Sequence, residues 1–268
     1  MAKKQILLTN DDGIRSPGLW AAAEALSAIA YVTVAAPREQ SSGMGRSMPS
    51  TSDCRIDKEI VHVNGQDWTV YAVGGSPAQA VQHGTLLIMD TKPDLVVSGI
   101  NYGENLALGV SVSGTVGAAM EAVALGIPAL AISLETDQKD HLSYSNDVDF
   151  SSAAHFGALF AGKFLEKDFP ENANLLKVDV PRDATPETPW QISRLSPYPY
   201  YHSIVTEKSK GGKKWKEVSY DTRSDFSREP HDSDVYVFKK IREVAITPLT
   251  LDFTARVDLG KFDAFLRK

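Results

Sequence analysis

Asp11 and Asp12 stand side by side one residue, Asn10, beyond the short apolar run Gln5–Thr9 and are followed by Gly13. Adjacent carboxylates repel unless a cation or hydrogen bonds compensate. Oxygen ligands suit a hard divalent ion, so Mg²⁺ or Mn²⁺ fits such a pair better than zinc. A plain turn also accounts for Asp and Gly in this order; a place at the end of a strand is what favours the cation. Ser41-Ser42-Gly43-Met44-Gly45, read alone, is a flexible loop and a weak dinucleotide signal, because its glycines do not open a helix directly after a strand. Ser113-Gly114-Thr115 sits where a long loop enters a helix, and the free N–H groups and positive dipole end there favour an anion. A Ser or Thr N-cap without ligand explains the same residue types. Asn101 and Asn105, taken singly, suit turn-stabilising hydrogen bonds. A hard-cation site and an anion cradle on one edge together suit a phosphate monoester.

Positioning these residues requires strands that end at a common edge. Gln5–Thr9 reads as a buried strand, Ser16-Pro17 as a helix start, and residues 31–36 as a second strand closed by Pro37. Strand, helix and strand within about 30 residues make one right-handed βαβ unit. Residues 55–73 read as an inserted hairpin, because 60–63 and 68–73 are β-rich and flank Asn64-Gly65. Ser76-Pro77 opens a helix through Met89, and 94–98 is a third buried strand. Residues 99–114 are irregular, then 115–125 form a helix stopped by Gly126-Ile127-Pro128. Ala129–Leu134, a helix over 151–165 and a strand over 174–178 complete the alternation. The fold class is therefore α/β, Rossmann-like, a mostly parallel sheet with helices on both faces. In such a sheet ligands bind beyond the carboxyl ends of the strands, which is where the polar clusters fall.

From Pro181 onward the texture changes. Residues 182–234, with four prolines in 186–199 and Gly211-Gly212, read as a β-rich arm or long hairpin; 235–238 and 242–247 read as a closing antiparallel pair and 257–266 as an amphipathic helix. The expected division is a core over 1–181 carrying the site and an arm-bearing part over 182–268, either the same domain or a swapped extension.

The chain has 268 residues, 43% hydrophobic and 23% charged, which is enough for a sizeable core and excludes a disordered or collagen-like chain. A net charge of −6 without a basic run gives no footprint for duplex nucleic acid. One cysteine, Cys54, allows no internal disulfide and no Cys-rich zinc site. Met1-Ala2-Lys3-Lys4 precedes too short an apolar run for a signal peptide, and no stretch approaches about 20 apolar residues. The expectation is a cytoplasmic protein with no membrane partner.

Ile6-Leu7-Leu8-Thr9-Asn10-Asp11-Asp12-Gly13-Ile14, Ala36-Pro37 with Ser42-Gly43, Ser98-Gly99-Ile100-Asn101-Tyr102-Gly103-Glu104-Asn105-Leu106, and Ser113-Gly114-Thr115-Val116 resemble the SurE family of survival proteins, and Gly75-Ser76-Pro77-Ala78 and Ile246-Thr247-Pro248-Leu249 extend the likeness over nearly the whole chain. The resemblance implies a metal-dependent 5′/3′-nucleotidase, also called an acid phosphatase, acting on nucleoside monophosphates. It implies one divalent cation per subunit, Mg²⁺ or Mn²⁺, held by Asp11, Asp12, Ser42 and Asn101, with Asp11 and Asp12 as the catalytic carboxylates. It also implies phosphate contacts from Asn105, Ser113, Gly114 and Thr115, and a homodimer or homotetramer joined by a swapped C-terminal arm. The family's usual Gly-Pro-Asn-Leu-Gly loop reads Gly103-Glu104-Asn105-Leu106-Ala107 in this chain.

Two other readings compete. A haloacid-dehalogenase phosphatase wants Asp at i and i+2 after the first strand, whereas this pair is adjacent and position 10 is Asn. A nucleotide-binding regulatory module needs the same cradle and no turnover. A serine hydrolase is excluded by the missing final glycine in Gly109-Val110-Ser111-Val112-Ser113. The six histidines (His62, His83, His141, His155, His202 and His231) show no paired ligand spacing, although His231 lies in a segment able to reach a site. Lys208, Lys210, Lys213 and Lys214 read as a solvated hairpin tip, and Tyr198, Tyr200 and Tyr201 as residues that pack at a subunit interface, with stacking on a base the open alternative.

Overall fold

Alternate residues of the first strand face opposite ways, and all three of its central side chains are buried, so both faces of the sheet must be covered. The computed structural model describes residues 3–141, 144–145, 147–166, 170 and 173–267. Met1 and Ala2 of the leading stretch lie outside them. The elements are β1 (Gln5–Thr9), α1 (Pro17–Ser27), β2 (Tyr31–Pro37), β3 (Ile56–Val63), β4 (Gln66–Val73), α2 (Pro77–His83), β5 (Leu95–Tyr102), α3 (Gly114–Ala124), β6 (Ala129–Leu134), α4 (Ser151–Glu166), β7 (Leu175–Val180), β8 (Trp190–Ile192), β9 (Tyr201–Lys210), β10 (Lys213–Thr222), β11 (Val244–Leu249) and α5 (Leu259–Leu266).

Among the described residues nine strands form one sheet in the order β3-β4-β2-β1-β5-β6-β7-β11-β8. The pairs from β4 to β7 are parallel, and β3 and β11 run antiparallel to β4 and β7. Ile6, Leu8, Val34 and Val97 pack with Leu19, Trp20, Phe156 and Phe160 of α1 and α4. Leu7, Ala35 and Val96 pack on the other face with Val81 of α2 and with Val116 and Ala119 of α3. From β1 the chain moves outward to β2 and β4, then returns to β5 on β1's other side and continues to β6 and β7. That reversal places the topological switch point between β1 and β5, where a doubly wound sheet opens a crevice.

Several local expectations change. The hairpin turning at Asn64 and Gly65 (φ 49° and 77°, the left-handed pair a two-residue turn needs) is no insertion: β4 pairs in parallel with β2 and completes the sheet. The third strand runs on to Tyr102, past the expected end at Ser98, because a register shift against β6 between Ser98 and Asn101 absorbs Gly99. Residues 235–238 are not a strand. Ser233 caps a helical turn by accepting from the Tyr236 N–H at 3.1 Å, and Tyr236–Ile241 then winds as a π-helical turn. Its Val235, Val237 and Phe238 are buried against Leu106, Ala107 and Tyr200. A short apolar run fits either state, and the Ser233-Asp234 cap decides this one. β11 therefore pairs with β7 instead.

The arm itself divides. β8 lies in the main sheet beside β11, whereas β9 and β10 form a separate two-stranded ribbon turning at Gly211-Gly212. The last helix starts at Leu259 behind an Asp258 cap and leaves Phe253, Val257, Leu259, Phe262, Phe265 and Leu266 exposed.

Candidate active site

Asn10 closes the turn after β1: its Nδ2 donates to the Gly13 carbonyl at 3.0 Å and its Oδ1 accepts from the Gly13 N–H at 3.1 Å. The brace holds Asp11 and Asp12 at the switch point, where they are only 3% and 1% exposed. Asp11 Oδ1 accepts from Thr115 Oγ1 at 2.5 Å, and its carbonyl accepts from the Ser41 N–H at 2.7 Å. Asp12 Oδ2 accepts from the Tyr102 N–H at 3.3 Å and its Oδ1 from Gln40 Nε2 at 3.1 Å, while the Tyr144 hydroxyl donates to its carbonyl at 2.8 Å. The loops after β1, β2 and β5 and the first turn of α3 thus converge on two carboxylates.

The electrostatics of this pair are unfavourable as they stand. Burial pushes both carboxyls up, and the neighbouring Asp11 charge pushes Asp12 further. The Thr115 hydroxyl and the amides of Thr115 and Gly114 hold Asp11 down only in part. Among the described residues no Lys, Arg or His forms an ion pair with either one. Two buried, adjacent carboxylates without a protein counter-charge fit a hard dication better than they fit each other. No cluster of three or more His, Cys, Asp or Glu residues able to hold a metal occurs among the described residues.

Asp11 borders a cavity of about 470 Å³ that is also lined by Ser42, Asn101, Asn105 and Ser113. Asn101 Nδ2 donates to the Gly103 carbonyl at 2.7 Å, leaving the amide oxygen, the atom a hard cation takes. Ser113 Oγ caps α3 by accepting from the Val116 N–H at 3.1 Å. Asp12, Gly114 and Thr115 are not among the residues lining it. Gly114 has to be glycine for space: a Cβ there would lie 2.7 Å from the Asp11 Cβ and 2.8 Å from its Oδ2. Gly114 and Thr115 thus meet the site through Asp11.

Asn105 is held from beneath. Its N–H donates to Asp179 Oδ1 at 2.8 Å and its Nδ2 to Ser133 Oγ at 2.7 Å. The Ala107 N–H donates to Asp234 Oδ2 at 2.9 Å, which fixes the loop two residues on, where Ala107 has φ 51°. Asp179 and Asp234 share Lys177, and all three are fully buried. A lysine and an aspartate in the otherwise apolar strand Leu175–Val180 were the available sequence signal for this support.

The cavity holds residues that spacing did not reveal. His141, Tyr201 and Tyr220 line it, with His141 Nδ1 and the Tyr220 hydroxyl 2.9 Å apart. Tyr201 donates to the Glu104 carbonyl at 2.6 Å, and Tyr200 is buried with its hydroxyl on Glu104 Oε1. Glu104 also pairs with Lys239 at 3.0 Å. Gln40 bridges the site to His141 by donating to its carbonyl at 2.8 Å as well as to Asp12. His231 stacks on Tyr236 at 4.6 Å and is not among the lining residues. Lys208, Lys210, Lys213 and Lys214 are exposed at the ribbon tip.

Comparisons with known proteins bear on what this site does. A family profile described as "Survival protein SurE" matches residues 6–201. The 5′-nucleotidase SurE of Methanocella arvoryzae is 40% identical over 267 residues, covering 98% of each chain. That of Thermococcus gammatolerans is 42% identical over 257 residues, covering 96% of this chain and 94% of its own. The crystal structure of the SurE protein from Aquifex aeolicus superposes with a TM-score of 0.73 at 30% identity, covering 98% of this chain and 100% of that one.

Proposed function

The chain belongs to the SurE family of survival proteins, and from that membership we propose that it is a divalent-cation-dependent nucleotidase releasing phosphate from nucleoside monophosphates at the cavity that Asp11 borders. The observation that carries the reading is the convergence of two buried, uncompensated carboxylates with hydroxyl and amide oxygens at the switch point of the sheet. Asp11, Asp12, Ser42 and Asn101 are the donors assigned to one cation, Mg²⁺ or Mn²⁺, since all four offer hard oxygens. When bound, the cation supplies charge neutralisation for phosphoryl oxygens and makes water a better nucleophile.

The chain's own residues supply position. Thr115 and the first turn of α3 fix the Asp11 carboxylate, while Gln40 and the Tyr102 amide fix that of Asp12. Asn105 and Ser113 are assigned to the phosphate, supported by their place on the same cavity and by the buried clamp under Asn105. Gly114 and Thr115 serve the phosphate indirectly, through Asp11. The core over 1–181 contributes every one of these groups, and the part over 182–268 contributes walls and assembly.

The test is hydrolysis by the purified full chain of 5′-AMP, 3′-AMP and p-nitrophenyl phosphate with Mg²⁺ or Mn²⁺, then with EDTA, then with the cation restored. Turnover that vanishes with chelation and returns with the ion supports the reading; turnover indifferent to EDTA, or none under any cation, overturns it.

The assembly assigned is a homodimer or homotetramer joined through the C-terminal part, supported by the apolar residues that the last segment leaves exposed in a single chain. Light scattering on a chain ending at Leu249 is expected to give fewer subunits per particle than the full chain. No described helix is long and apolar enough to cross a membrane. A cytoplasmic place is our reading, supported by a single free thiol, Cys54.

A further inference from the structure

Helix α3 turns one stripe toward the site. Gly114, Gly117 and Glu121 stand at i, i+3 and i+7, a spacing that puts them on one face of the helix. Gly114 lies against Asp11. Gly117 lies against the loop after β2, where a Cβ would come within 2.2 Å of the Gly45 carbonyl carbon and oxygen. Glu121 ends the stripe with a carboxylate, on a residue only 3% exposed. Its Oε2 accepts from Arg46 Nε at 2.7 Å and its Oε1 from Gln82 Nε2 at 2.8 Å. Packing by itself does not call for a charge there, since well-packed apolar side chains of similar volume are often as stable as a buried ion pair.

What the stripe grips is the loop that carries Ser42. Residues 38–55 separate β2 from β3, so no strand or helix holds Ser42 in register. Its position is set from either side instead. The Ser41 N–H donates to the Asp11 carbonyl at 2.7 Å, and the Gly45 N–H to the Val112 carbonyl at 2.9 Å. Arg46 follows on Glu121, and the Ser47 carbonyl then accepts from Ser76 Oγ at 2.6 Å. Glu121 and Arg46 are not among the residues lining the cavity, so they reach it through the loop.

We propose that Glu121 is a positioning residue for the cation site: through Arg46 it seats the loop so that Ser42 stands at the cavity that Asp11 borders, and α3 thereby places both donors. The inference rests on the cation-dependent nucleotidase reading and deepens it. Groups that orient the donors of a metal site are worth about 10–100-fold in metal affinity when removed.

The experiment is calorimetric titration of Mn²⁺ into the full chain, beside cation-free melts and 5′-AMP hydrolysis along a Mn²⁺ series. Glu121→Gln keeps the shape and removes the charge. It is expected to raise the Mn²⁺ Kd by about 10–100-fold, with the loss of turnover shrinking as Mn²⁺ approaches saturation. Arg46→Gln is expected to do the same, and the two together no worse than either alone, because both cut one link. Arg46→Lys keeps the charge and is expected to restore most of the affinity. Gly117→Ala drives a methyl into the Gly45 backbone without touching the ion pair, and should raise the Kd as well. A lower cation-free Tm with an unchanged Mn²⁺ Kd would mean that the pair only holds the fold, and would overturn the proposal. So would additive losses in the double variant, or turnover lost equally at every Mn²⁺ concentration. A wild-type chain whose Mn²⁺ binding weakens with Glu121→Gln, yet which hydrolyses no ester, defeats the nucleotidase reading alone. Cation-dependent turnover that is indifferent to Glu121→Gln defeats the positioning role alone.

Discussion

Replacing Asp12 with Asn removes one of two adjacent buried charges at almost constant shape. Without a cation the change acts in two directions. It relieves the repulsion from Asp11 that pushes the Asp12 carboxyl up. It also leaves a carboxamide facing two donors, the Tyr102 N–H at 3.3 Å and Gln40 Nε2 at 3.1 Å, only one of which it can accept. A buried donor left unpaired costs about 1–3 kcal/mol and opposes that relief, so cation-free stability is expected to move by no more than about 2 kcal/mol. The cation-dependent effect is larger and of one sign. At a concentration of about 100 Kd, an ion bound only by the folded chain adds about 2.7 kcal/mol. At about 2–4 °C per kcal/mol for a chain near this size, the wild-type Tm rises by roughly 5–11 °C with Mn²⁺. Asp12→Asn should lose most of that rise and about 10²–10³-fold in kcat on 5′-AMP, the size of effect seen when one electrostatic stabiliser is removed. Circular dichroism melts with EDTA and along a Mn²⁺ titration, beside a phosphate-release assay, measure both. A variant that keeps the wild-type Mn²⁺ shift and near wild-type turnover would refute the ligand assignment.

Lys177→Met strands Asp179 and Asp234 as fully buried carboxylates without their shared cation. A loss of about 3–5 kcal/mol is expected, visible as a Tm lower by roughly 6–20 °C; a loss under about 1 kcal/mol would show that the triad is not ionised as drawn. Gly114→Ala gains helix propensity but drives a methyl to 2.7 Å from the Asp11 Cβ, so activity is expected to fall at least tenfold with little change in the urea midpoint. Burial alone would raise Glu135, but hydrogen bonds from Arg242 and Lys239 hold it at about 2 against an ordinary 4.5. Its contribution is present above about pH 4.5 and lost as the pH falls toward 2, so the stability gap between wild type and Glu135→Gln should close over that window in urea titrations at successive pH values.

Much of the frame was legible because its signals are local. β1 and β6 fall on the expected residues, since each is an apolar run closed by turn formers within a few positions. The Asn64-Gly65 turn and the caps at Ser76 and Ser113 are likewise decided by neighbours in the chain. Where a segment's state depends on distant partners, the reading failed. Val235 and Phe238 suit a strand by residue type, but burial against Leu106 and Tyr200 and a cap from Ser233 make that stretch helical. Nothing nearby in sequence announces Glu104 as the partner of Tyr200 and Tyr201 either.

The chemistry divides along the same line. Residue types and their order already dictate an oxygen-rich edge on an α/β sheet, because polar clusters after apolar strands must gather at the strands' carboxyl ends. Pairwise geometry is another matter, since hydrogen bonds and ion pairs form across any sequence separation once the chain is compact. Thr115 grips Asp11 from 104 positions away, Gln40 joins Asp12 to a carbonyl 101 positions from itself, and Asp179 reaches the Asn105 amide across 74. Those contacts settle which carboxylate is held, which amide oxygen is left free and which aromatic ring faces the cavity, and folding alone brings them together.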